Sequence, residues 1–364
     1  MQTALRLARR SLGTVWPNPA VGCILVREDL NGRIVGRGWT RRGGRPHAET
    51  EALRRAGTAA QGATAYVSLE PCNHIGRTGP CTDALIAAGV KRVVIATEDP
   101  DPRVMGAGVQ KLKDTDIDVE THVCEATARE INRGFMLRIN ESRPLFTLKL
   151  ATSLDGRIAT RTRHSQWVTG SLARLHAHRL RAEHDAVLIG SETAMIDDPD
   201  LTCRLPGLEK NSPIRIVLDS RLRLSPKSNL AKTAKHVPVW IITTTDQDSA
   251  ARNELEKLGV EIFELKPHEN GRPNLAEVAH TLAGKGLTRV LVEGGGGVAG
   301  SLFQANLVDD IVWFRAPKLI GADGVPAFSA LGIETMEQAP EFTKCDAFMA
   351  GNDSVETYRR MNGV

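Results

Sequence analysis

The sequence predicts an α/β protein built from two domains. Its 364 residues are too many for one hydrophobic core, since single cores rarely grow beyond about 250–300 residues. Strand-like apolar runs alternate with helix-like segments in both halves of the chain, which is typical of layered α/β folds. The segment "NESRP" at residues 140–144 interrupts this alternation. We therefore predict one domain at residues 1–143 and a second at residues 144–364.

The first half predicts a sheet flanked by helices. Two apolar runs surround Asn31-Gly32, a pair that is typical of a tight hairpin turn. The helix-like segment at residues 48–57 ends at a glycine, as many helices do. The predicted strands of this half are 20–26, 33–39, 63–71 and 91–99, and its main helices are 48–57 and 82–89.

The second half begins with a strand-like segment and repeats the alternation without repeating the sequence of the first half. Its further predicted strands are 185–190, 214–220, 237–244, 288–295 and 309–320.

The composition argues against several classes of protein. A net charge of +4, with acidic and basic residues interspersed, favours local anion-binding pockets over a nucleic-acid-binding face. No apolar run approaches the ~20 residues of a membrane-spanning helix, and the N-terminus has no signal-peptide pattern. The six cysteines are scattered, unlike a disulfide framework. We expect a cytoplasmic protein without a nucleic-acid or membrane partner.

A His, a Glu and two Cys form a candidate metal site. His47 lies where a helix is predicted to begin, and Cys72 and Cys81 follow the next strand. Catalytic zinc takes three protein ligands and keeps a fourth position for water. Glu49, as a carboxylate that is not a ligand, can accept a proton and return it to a leaving amine. The order H-x-E, then P-C and C, is the arrangement of zinc deaminases.

Other interpretations of these residues remain open. Singly, the histidine would be a helix cap or a surface residue, and the cysteines would be inert. A structural zinc site would need a fourth protein ligand, which His74 or Cys23 could supply.

A run of four glycines predicts a second site. In "VLVEGGGGVAGSLF" a buried strand leads into Gly294–Gly297 and a helical pattern follows. Glycines let backbone N–H groups approach phosphate oxygens, and the N-terminus of a helix attracts negative charge. The alternative is a flexible linker. Elsewhere "GAGVQ" at 106–110 is only a partial match to a dinucleotide fingerprint.

Longer segments resemble one known family. They are "WPNPAVGCILV", "GRPHAETEAL", "YVSLEPCNHIGRTGPCTDALIAAGVKRVV", "LKLATSLDGRIAT", "GSETAMIDDPDLTCR", "VEGGGG" and "APKLIG". Together they are similar to the bifunctional deaminase–reductase family of riboflavin biosynthesis, RibD. The resemblance implies a cytidine-deaminase-like three-layer domain followed by a dihydrofolate-reductase-like domain.

The resemblance also implies two consecutive reactions. The first domain would hydrolytically deaminate 2,5-diamino-6-ribosylamino-4(3H)-pyrimidinone 5′-phosphate with one Zn²⁺ per chain. The second would use NADPH to reduce the ribosyl group of the product to a ribityl chain. The partner is thus a small phosphorylated pyrimidine. We also expect a homo-oligomer, a dimer or tetramer, formed through the reductase domain.

The family's functional residues carry over onto matching positions of this chain. His47, Cys72 and Cys81 would bind zinc, and Glu49 and Lys149 would be catalytic, with Lys149 polarising the sugar oxygen. The expected substrate contacts are Asn18, Ser165, Arg181, Leu201, Arg204 and Glu293, with the two arginines on the 5′-phosphate. The expected NADP contacts are Ala151, Trp167, Thr193, Asp197, Ser220, Gly295, Gly296, Gly297, Val298, Ala299, Gly300 and Ser301.

Some positions have competing interpretations. Arg181 could be a solvated helix charge, and Trp167 could anchor the core. The histidines at 176, 178 and 184 suggest a metal site, but we expect a solvated helix face. Asp155 is expected in a turn. Thr40 stands where family members often carry a His, which puts a substrate contact there in doubt.

Two rival functions belong to other classes. A polynucleotide base deaminase with an accessory domain would need a basic stripe and exposed aromatic residues, but the chain has five Trp and two Tyr. A zinc-stabilised binding module without catalysis would unfold when its metal is removed.

Overall fold

The computed structural model describes residues 1–74, 79–102, 104–245, 247–269 and 271–361. The chain divides into two compact units, Met1–Arg143 and Pro144–Val364. Among the described residues, no helix combines the length and the apolar character that crossing a bilayer requires.

The first unit contains one five-stranded sheet in the order β2-β1-β3-β4-β5. The pairings of β1 with β2 and β3 are antiparallel, whereas β3, β4 and β5 run parallel. In chain order its elements are α1 (Gln2–Arg9), β1 (Gly22–Arg27), β2 (Arg33–Trp39), α2 (Ala48–Ala56), β3 (Thr64–Val67), α3 (Cys81–Ala87), β4 (Arg92–Ile95), α4 (Ala107–Lys113), β5 (Asp118–Glu120), α5 (Glu125–Ile131) and α6 (Arg133–Glu141).

Helices cover both faces of this sheet. A Cβ at Gly22 would lie 1.9 Å from the carbonyl oxygen of Ala4 on α1, and a Cβ at Gly38 would lie 2.0 Å from that of Ala48 on α2. Gly38 pairs with Cys23, the neighbour of Gly22, so the two glycines face opposite sides of the sheet. The unit therefore has the predicted three layers, with helices packed closely on both sides.

The predicted hairpin and helix end are confirmed. Asn31 and Gly32 both have positive φ angles, 58° and 71°, and they end the connection at residues 28–32 that joins β1 to β2 as a hairpin. The helix α2 ends at Ala56, and Gly57 follows with a φ of 56°. The strand β2 has the predicted bounds, whereas β1, β3 and β4 are shorter than the apolar runs that predicted them.

The second unit contains a nine-stranded sheet in the order β11-β10-β9-β8-β12-β6-β13-β16-β15. The strands from β11 to β13 run parallel, and β16 and β15 add an antiparallel edge. The elements are β6 (Leu145–Thr152), β7 (Arg157–Ala159), α7 (Ser171–Glu183), β8 (Ala186–Gly190), α8 (Ser191–Asp197), β9 (Ile214–Leu218), α9 (Asn229–Lys232), β10 (Val239–Thr244), α10 (Ser249–Lys257), β11 (Val260–Leu265), α11 (Leu275–Gly284), β12 (Arg289–Val292), α12 (Gly296–Gln304), β13 (Asp310–Arg315), β14 (Val325–Pro326), β15 (Phe342–Ala350) and β16 (Asp353–Arg360).

The expectation of a solvated histidine face on α7 is wrong at His184. This residue follows α7 and is only 5% exposed. Its Nδ1 lies 2.7 Å from the Leu180 carbonyl oxygen and its Nε2 lies 3.0 Å from the Thr147 hydroxyl. Burial lowers the pKa of His184 to about 4. The residue is thus a neutral core histidine with both ring nitrogens hydrogen-bonded.

Candidate zinc centre and reductase site

Three candidate zinc ligands converge in the first unit. His47 precedes α2, Cys72 lies in the segment after β3, and Cys81 is the first residue of α3. The Nδ1 atom of His47 lies 3.2 Å from the Sγ of Cys81 and 3.6 Å from that of Cys72. All three ligand atoms lie within 4.8 Å of one another. One imidazole and two sulfur atoms at this separation fit a single zinc ion.

The ligand number fits a catalytic site. Among the described residues, the cluster contains three protein ligands and includes neither His74 nor Cys23, so a closed four-ligand site is not formed. The Cys81 N–H donates to Cys72 Sγ at 3.4 Å. The side chain of Cys81, helped by His47 and opposed by burial, lowers the pKa of Cys72 below its ordinary value. Residues 75–78, which belong to the quoted segment between the cysteines, lie outside the described residues.

Glu49 lies inside this centre and is only 3% exposed. Burial raises the pKa of its carboxyl to about 7, with a further increase from Cys72 and an opposing effect from His47. A carboxyl group that titrates near neutral pH can both accept and return a proton.

Glu70, a buried residue outside the predicted site, supports the zinc centre. The Glu70 carboxylate accepts hydrogen bonds from the backbone N–H groups of Asp99 (3.3 Å), Gly106 (3.1 Å), Gly108 (2.9 Å) and Val109 (3.1 Å). Glu70 thereby ties the loop after β4 and the start of α4 to the segment that carries Cys72. Its place inside "SLEPC", two residues before the cysteine, was the only signal in the sequence.

The predicted base contact Asn18 lies close to the segment that precedes His47. It is half-buried, and its Nδ2 donates to the Val15 carbonyl oxygen at 3.2 Å. Thr40 is buried, and its hydroxyl accepts a hydrogen bond from the Val21 N–H at 3.0 Å. This contact gives Thr40 a structural role at the position where family members often carry a histidine.

In the second unit, three charged side chains come together. Lys149 lies on β6, Glu293 follows β12, and Arg181 lies on α7. Arg181 binds Glu293 through two contacts of 2.5 and 3.0 Å, and Lys149 Nζ lies 3.7 Å from Glu293 Oε2. The side chain of Arg181 is only 13% exposed, which excludes a solvated helix charge.

The protonation state of Glu293 follows from these neighbours. Burial alone would raise the pKa of its carboxyl, but Arg181 and Lys149 outweigh that effect and lower it to about 2. Glu293 is therefore an anion that holds two cations in place.

Arg181 and Arg204 both contact residues of the segment 200–202. Arg181 Nη1 donates to the Thr202 carbonyl oxygen at 3.1 Å, and Arg204 Nη1 pairs with Asp200 at 2.9 Å. The Arg204 side chain is 57% exposed. The two arginines thus differ, because one is buried in an ion pair and the other faces solvent.

The glycine run leads directly into a helix. Gly295 caps α12, which begins at Gly296, and a Cβ at Gly295 would lie 3.7 Å from the Thr193 hydroxyl. Two predicted NADP contacts from distant parts of the sequence therefore lie together. A flexible linker is excluded, since Gly296 and Gly297 form the first turn of the helix.

The other predicted NADP and substrate contacts lie on several elements of the second unit. Trp167 is 60% exposed beside Arg174, so it does not anchor the core. Ala299 is fully buried, and Gly300 packs on Ser329. Leu201 is buried with a φ of 54°. Ala151 lies on β6, Asp197 ends α8, Ser220 follows β9, Ser165 precedes α7, and Val298 and Ser301 lie on α12.

Asp155 stabilises a turn, as expected. Its carboxylate accepts hydrogen bonds from the Ser153 hydroxyl (2.6 Å) and from the backbone N–H groups of Ile320 (3.2 Å) and Gly321 (2.7 Å).

Family models match both units. The RibD C-terminal domain matches residues 144–355, and the zinc-binding region of cytidine and deoxycytidylate deaminases matches residues 1–97. The predicted fold class, a cytidine-deaminase-like domain followed by the reductase domain of this family, is confirmed.

Relatives match over nearly the whole chain. The riboflavin biosynthesis protein RibD of Aquifex aeolicus is 42% identical over 99% of this chain and 97% of its own length. The Escherichia coli protein of the same name is 40% identical over 94% and 93%. A solved structure of Acinetobacter baumannii RibD covers 99% of this chain and 98% of its own, with 37% identity and a TM-score of 0.88.

A further solved structure carries an explicit activity in its name. It is a diaminohydroxyphosphoribosylaminopyrimidine deaminase/5-amino-6-(5-phosphoribosylamino)uracil reductase from Thermotoga maritima. It is 32% identical, covers 99% of this chain and 97% of its own, and has a TM-score of 0.85. The chain belongs to the RibD family of riboflavin biosynthesis proteins, and it joins a zinc-dependent deaminase domain to the reductase domain of that family.

Proposed function

We propose that this chain catalyses two consecutive steps of riboflavin biosynthesis. Residues 1–143 deaminate 2,5-diamino-6-ribosylamino-4(3H)-pyrimidinone 5′-phosphate, and residues 144–364 reduce the ribosyl group of 5-amino-6-(5-phosphoribosylamino)uracil to ribityl. The observation that carries the first step is the convergence of His47, Cys72 and Cys81 beside the buried Glu49.

In the deaminase, the chain's own residues bind the metal and move protons. Zinc, when bound, supplies a Lewis acid that lowers the pKa of water. Glu49 accepts the proton of the attacking water and delivers it to the leaving amine. Asn18 holds the edge of the pyrimidine ring.

In the reductase, charged residues bind the sugar phosphate and activate the sugar. NADPH supplies the reducing electrons. Lys149 polarises the sugar oxygen, and the anionic Glu293 holds Lys149 and Arg181 in place. Arg204, with its exposed guanidinium, and Arg181 take the 5′-phosphate, to which planar guanidinium groups bind in two-point contacts. Ser165 and Leu201 complete the substrate contacts.

The cofactor lies against the glycine-led helix. The N-terminus of α12 faces the NADPH phosphates, since its backbone N–H groups and its dipole favour anions. The remaining contacts come from Ala151, Trp167, Thr193, Asp197, Ser220 and residues 295–301. We further propose that the protein works in the cytoplasm as a homo-oligomer, a dimer or tetramer, assembled through the reductase domain.

One incubation tests both steps. The purified protein is mixed with the diaminopyrimidine substrate, with or without NADPH, and the product mass is measured. Without NADPH we expect the amino-to-oxo change alone, and with NADPH we expect a further gain of two hydrogens. An unchanged substrate that nonetheless binds would contradict the proposal. Deamination of cytidine in single-stranded nucleic acid would instead favour a polynucleotide deaminase.

A further inference from the structure

The segment at 41–46 packs on the loop that carries Asn18. It connects β2 to α2, and the Arg41 N–H donates to the Pro46 carbonyl oxygen at 3.1 Å, which closes the segment into a compact turn. The Gly43 N–H donates to the Thr14 carbonyl oxygen at 2.9 Å. The turn before the zinc ligand His47 is therefore hydrogen-bonded to the loop that carries Asn18.

Gly44 is the point of closest approach between these two loops. It is buried and has a φ of 82°. A Cβ at this position would lie 2.0 Å from Nδ2, 2.4 Å from Cγ and 3.0 Å from Cβ of Asn18. Carbon atoms in contact normally lie about 3.5–4.0 Å apart. The amide of Asn18 thus occupies the space that any side chain at Gly44 would need.

The neighbouring Gly43 has a similar backbone without this contact. Its φ is 74°, in the same left-handed region, and a Cβ there would meet no atom within 4 Å. Replacing either glycine strains the backbone to a similar degree. Only replacement of Gly44 moves Asn18.

We propose that Gly44 is a positioning residue for the deamination reaction. Because it has no side chain, the Asn18 amide lies against the backbone of the turn that leads into His47, and the two are held in one arrangement. The hydrogen bond from Asn18 Nδ2 to the Val15 carbonyl oxygen fixes the other side of the amide. This inference rests on the proposed role of Asn18 in binding the pyrimidine.

The test compares Gly44→Ala with Gly43→Ala in the full-length zinc-loaded protein. We expect Gly44→Ala to lower kcat/KM for deamination about tenfold or more relative to Gly43→Ala, with the loss mainly in KM. Zinc content and NADPH-dependent reduction of deaminated substrate should be equal in the two variants. Equal kcat/KM values for deamination would overturn the inference.

A double-mutant cycle with Asn18→Ala tests whether Gly44 acts through Asn18. Once the amide is gone, Gly44→Ala should change kcat/KM by no more than about twofold. A full additional loss in that background would overturn the inference and leave the role of Asn18 intact. If Asn18→Ala alone deaminates normally, the proposed base contact is wrong and the inference falls with it.

Combining Gly44→Ala with Asn18→Ala also tests the inference if Gly44→Ala alone does not fold. In that case the combined Asn18→Ala/Gly44→Ala protein should fold again with a melting temperature close to that of Gly43→Ala, because the 2.0 and 2.4 Å contacts with the amide are removed and only the 3.0 Å contact with the Cβ of residue 18 remains. Failure to recover would overturn the inference.

Discussion

Three glutamates with little exposure have distinct roles that follow from their neighbours. Burial raises the pKa of Glu49 to about 7, whereas Arg181 and Lys149 overcome burial and lower the pKa of Glu293 to about 2. Glu70 instead accepts four backbone hydrogen bonds. The same carboxyl group thus serves as a proton carrier, a permanent anion or a structural clamp, depending on what surrounds it.

Replacing Glu49 separates proton transfer from metal binding. Glu49→Gln keeps the shape of the side chain but cannot carry a proton, so deamination should fall by roughly 10²-fold or more. Zinc content, measured by metal analysis, should stay near one ion per chain. A loss of zinc in this variant would mean that Glu49 is a ligand.

The two proposed phosphate arginines should respond differently to removal. Arg204 is exposed, so Arg204→Ala should raise the reductase KM for the phosphorylated substrate about ten- to a hundredfold by loss of a charge-assisted contact. Arg181→Ala also removes a partner of the buried Glu293 and should lower kcat and thermal stability as well.

A dephosphorylated substrate provides the control for both arginines. On this substrate Arg204→Ala should lose little further activity, because the missing contact has nothing to bind. If Arg204→Ala instead weakens NADPH binding and leaves the substrate KM unchanged, the arginine belongs to the cofactor site.

His184 should make the stability of the reductase unit depend on pH. Its pKa is lowered to about 4 in the folded state by burial, so between the ordinary value near 6.5 and 4 the unfolded state binds more protons. Stability from this residue is complete above pH 6.5 and falls by roughly 2 kcal/mol on going from pH 7 to pH 5. His184→Gln should show a smaller loss of stability in urea unfolding over this range. An identical pH dependence in both proteins would contradict the assignment.

At the scale of helices and strands, the sites lie where elements begin or end. His47 and Cys81 lie at the starts of α2 and α3, and Gly295 precedes α12. A helix start offers N–H groups and a fixed direction for the first side chains, so the positions of His47 and Cys81 depend on the backbone of α2 and α3.

The glycine run allows a test that leaves the helix stable. A Cβ at Gly297 would meet no atom within 4 Å, so substitution there should not disturb packing. Gly297→Asp places a negative charge in the first turn of α12, which favours the helix but repels phosphate. We expect an unchanged or higher melting temperature with a KM for NADPH raised about tenfold or more. Gly297→Ala is the uncharged control, and equal KM values in the two variants would exclude phosphates at this helix end.

Features that depend on short spacings could be predicted from the sequence, and those that depend on distant contacts could not. The convergence of His47, Cys72 and Cys81 was predicted from their order in the chain and from the places of His47 and Cys81 at the starts of predicted helices. The pairing of Arg181 with Glu293 joins residues 112 positions apart, and no local pattern reports it. The hydrogen bond between His184 and Thr147 on β6 likewise joins residues 37 positions apart. The edge strand β15 was missed because most of its residues are exposed, which hides the alternation that marks a strand.

At the scale of the whole molecule, each unit has its own core and its own candidate site. One apolar cluster joins β1, β3 and α2 in the first unit, and another joins β8, β9 and β10 in the second. A local change in one site should therefore leave the other unit folded.

Removal of a zinc ligand tests this independence. Cys72→Ser should lose metal and deamination together, because the cluster supplies only three protein ligands among the described residues. NADPH-dependent reduction of substrate that is already deaminated should continue at the rate of the unmodified protein. If reduction were lost in a variant that is still folded, the proposed division of activities between the two units would be wrong.

The two sheets differ in the order in which their strands leave the ribosome. All five strands of the first sheet lie between residues 22 and 120, and His47, Cys72 and Cys81 come from the same part of the chain. In the second sheet β6 is made first but lies between β12 and β13, which are made after β8, β9, β10 and β11. Domains generally fold as units during synthesis, the N-terminal one first. A ribosome stalled just before β12 would therefore hold a folded deaminase, with its metal ligands already assembled, and a reductase in which the interior strand β6 still lacks both neighbours.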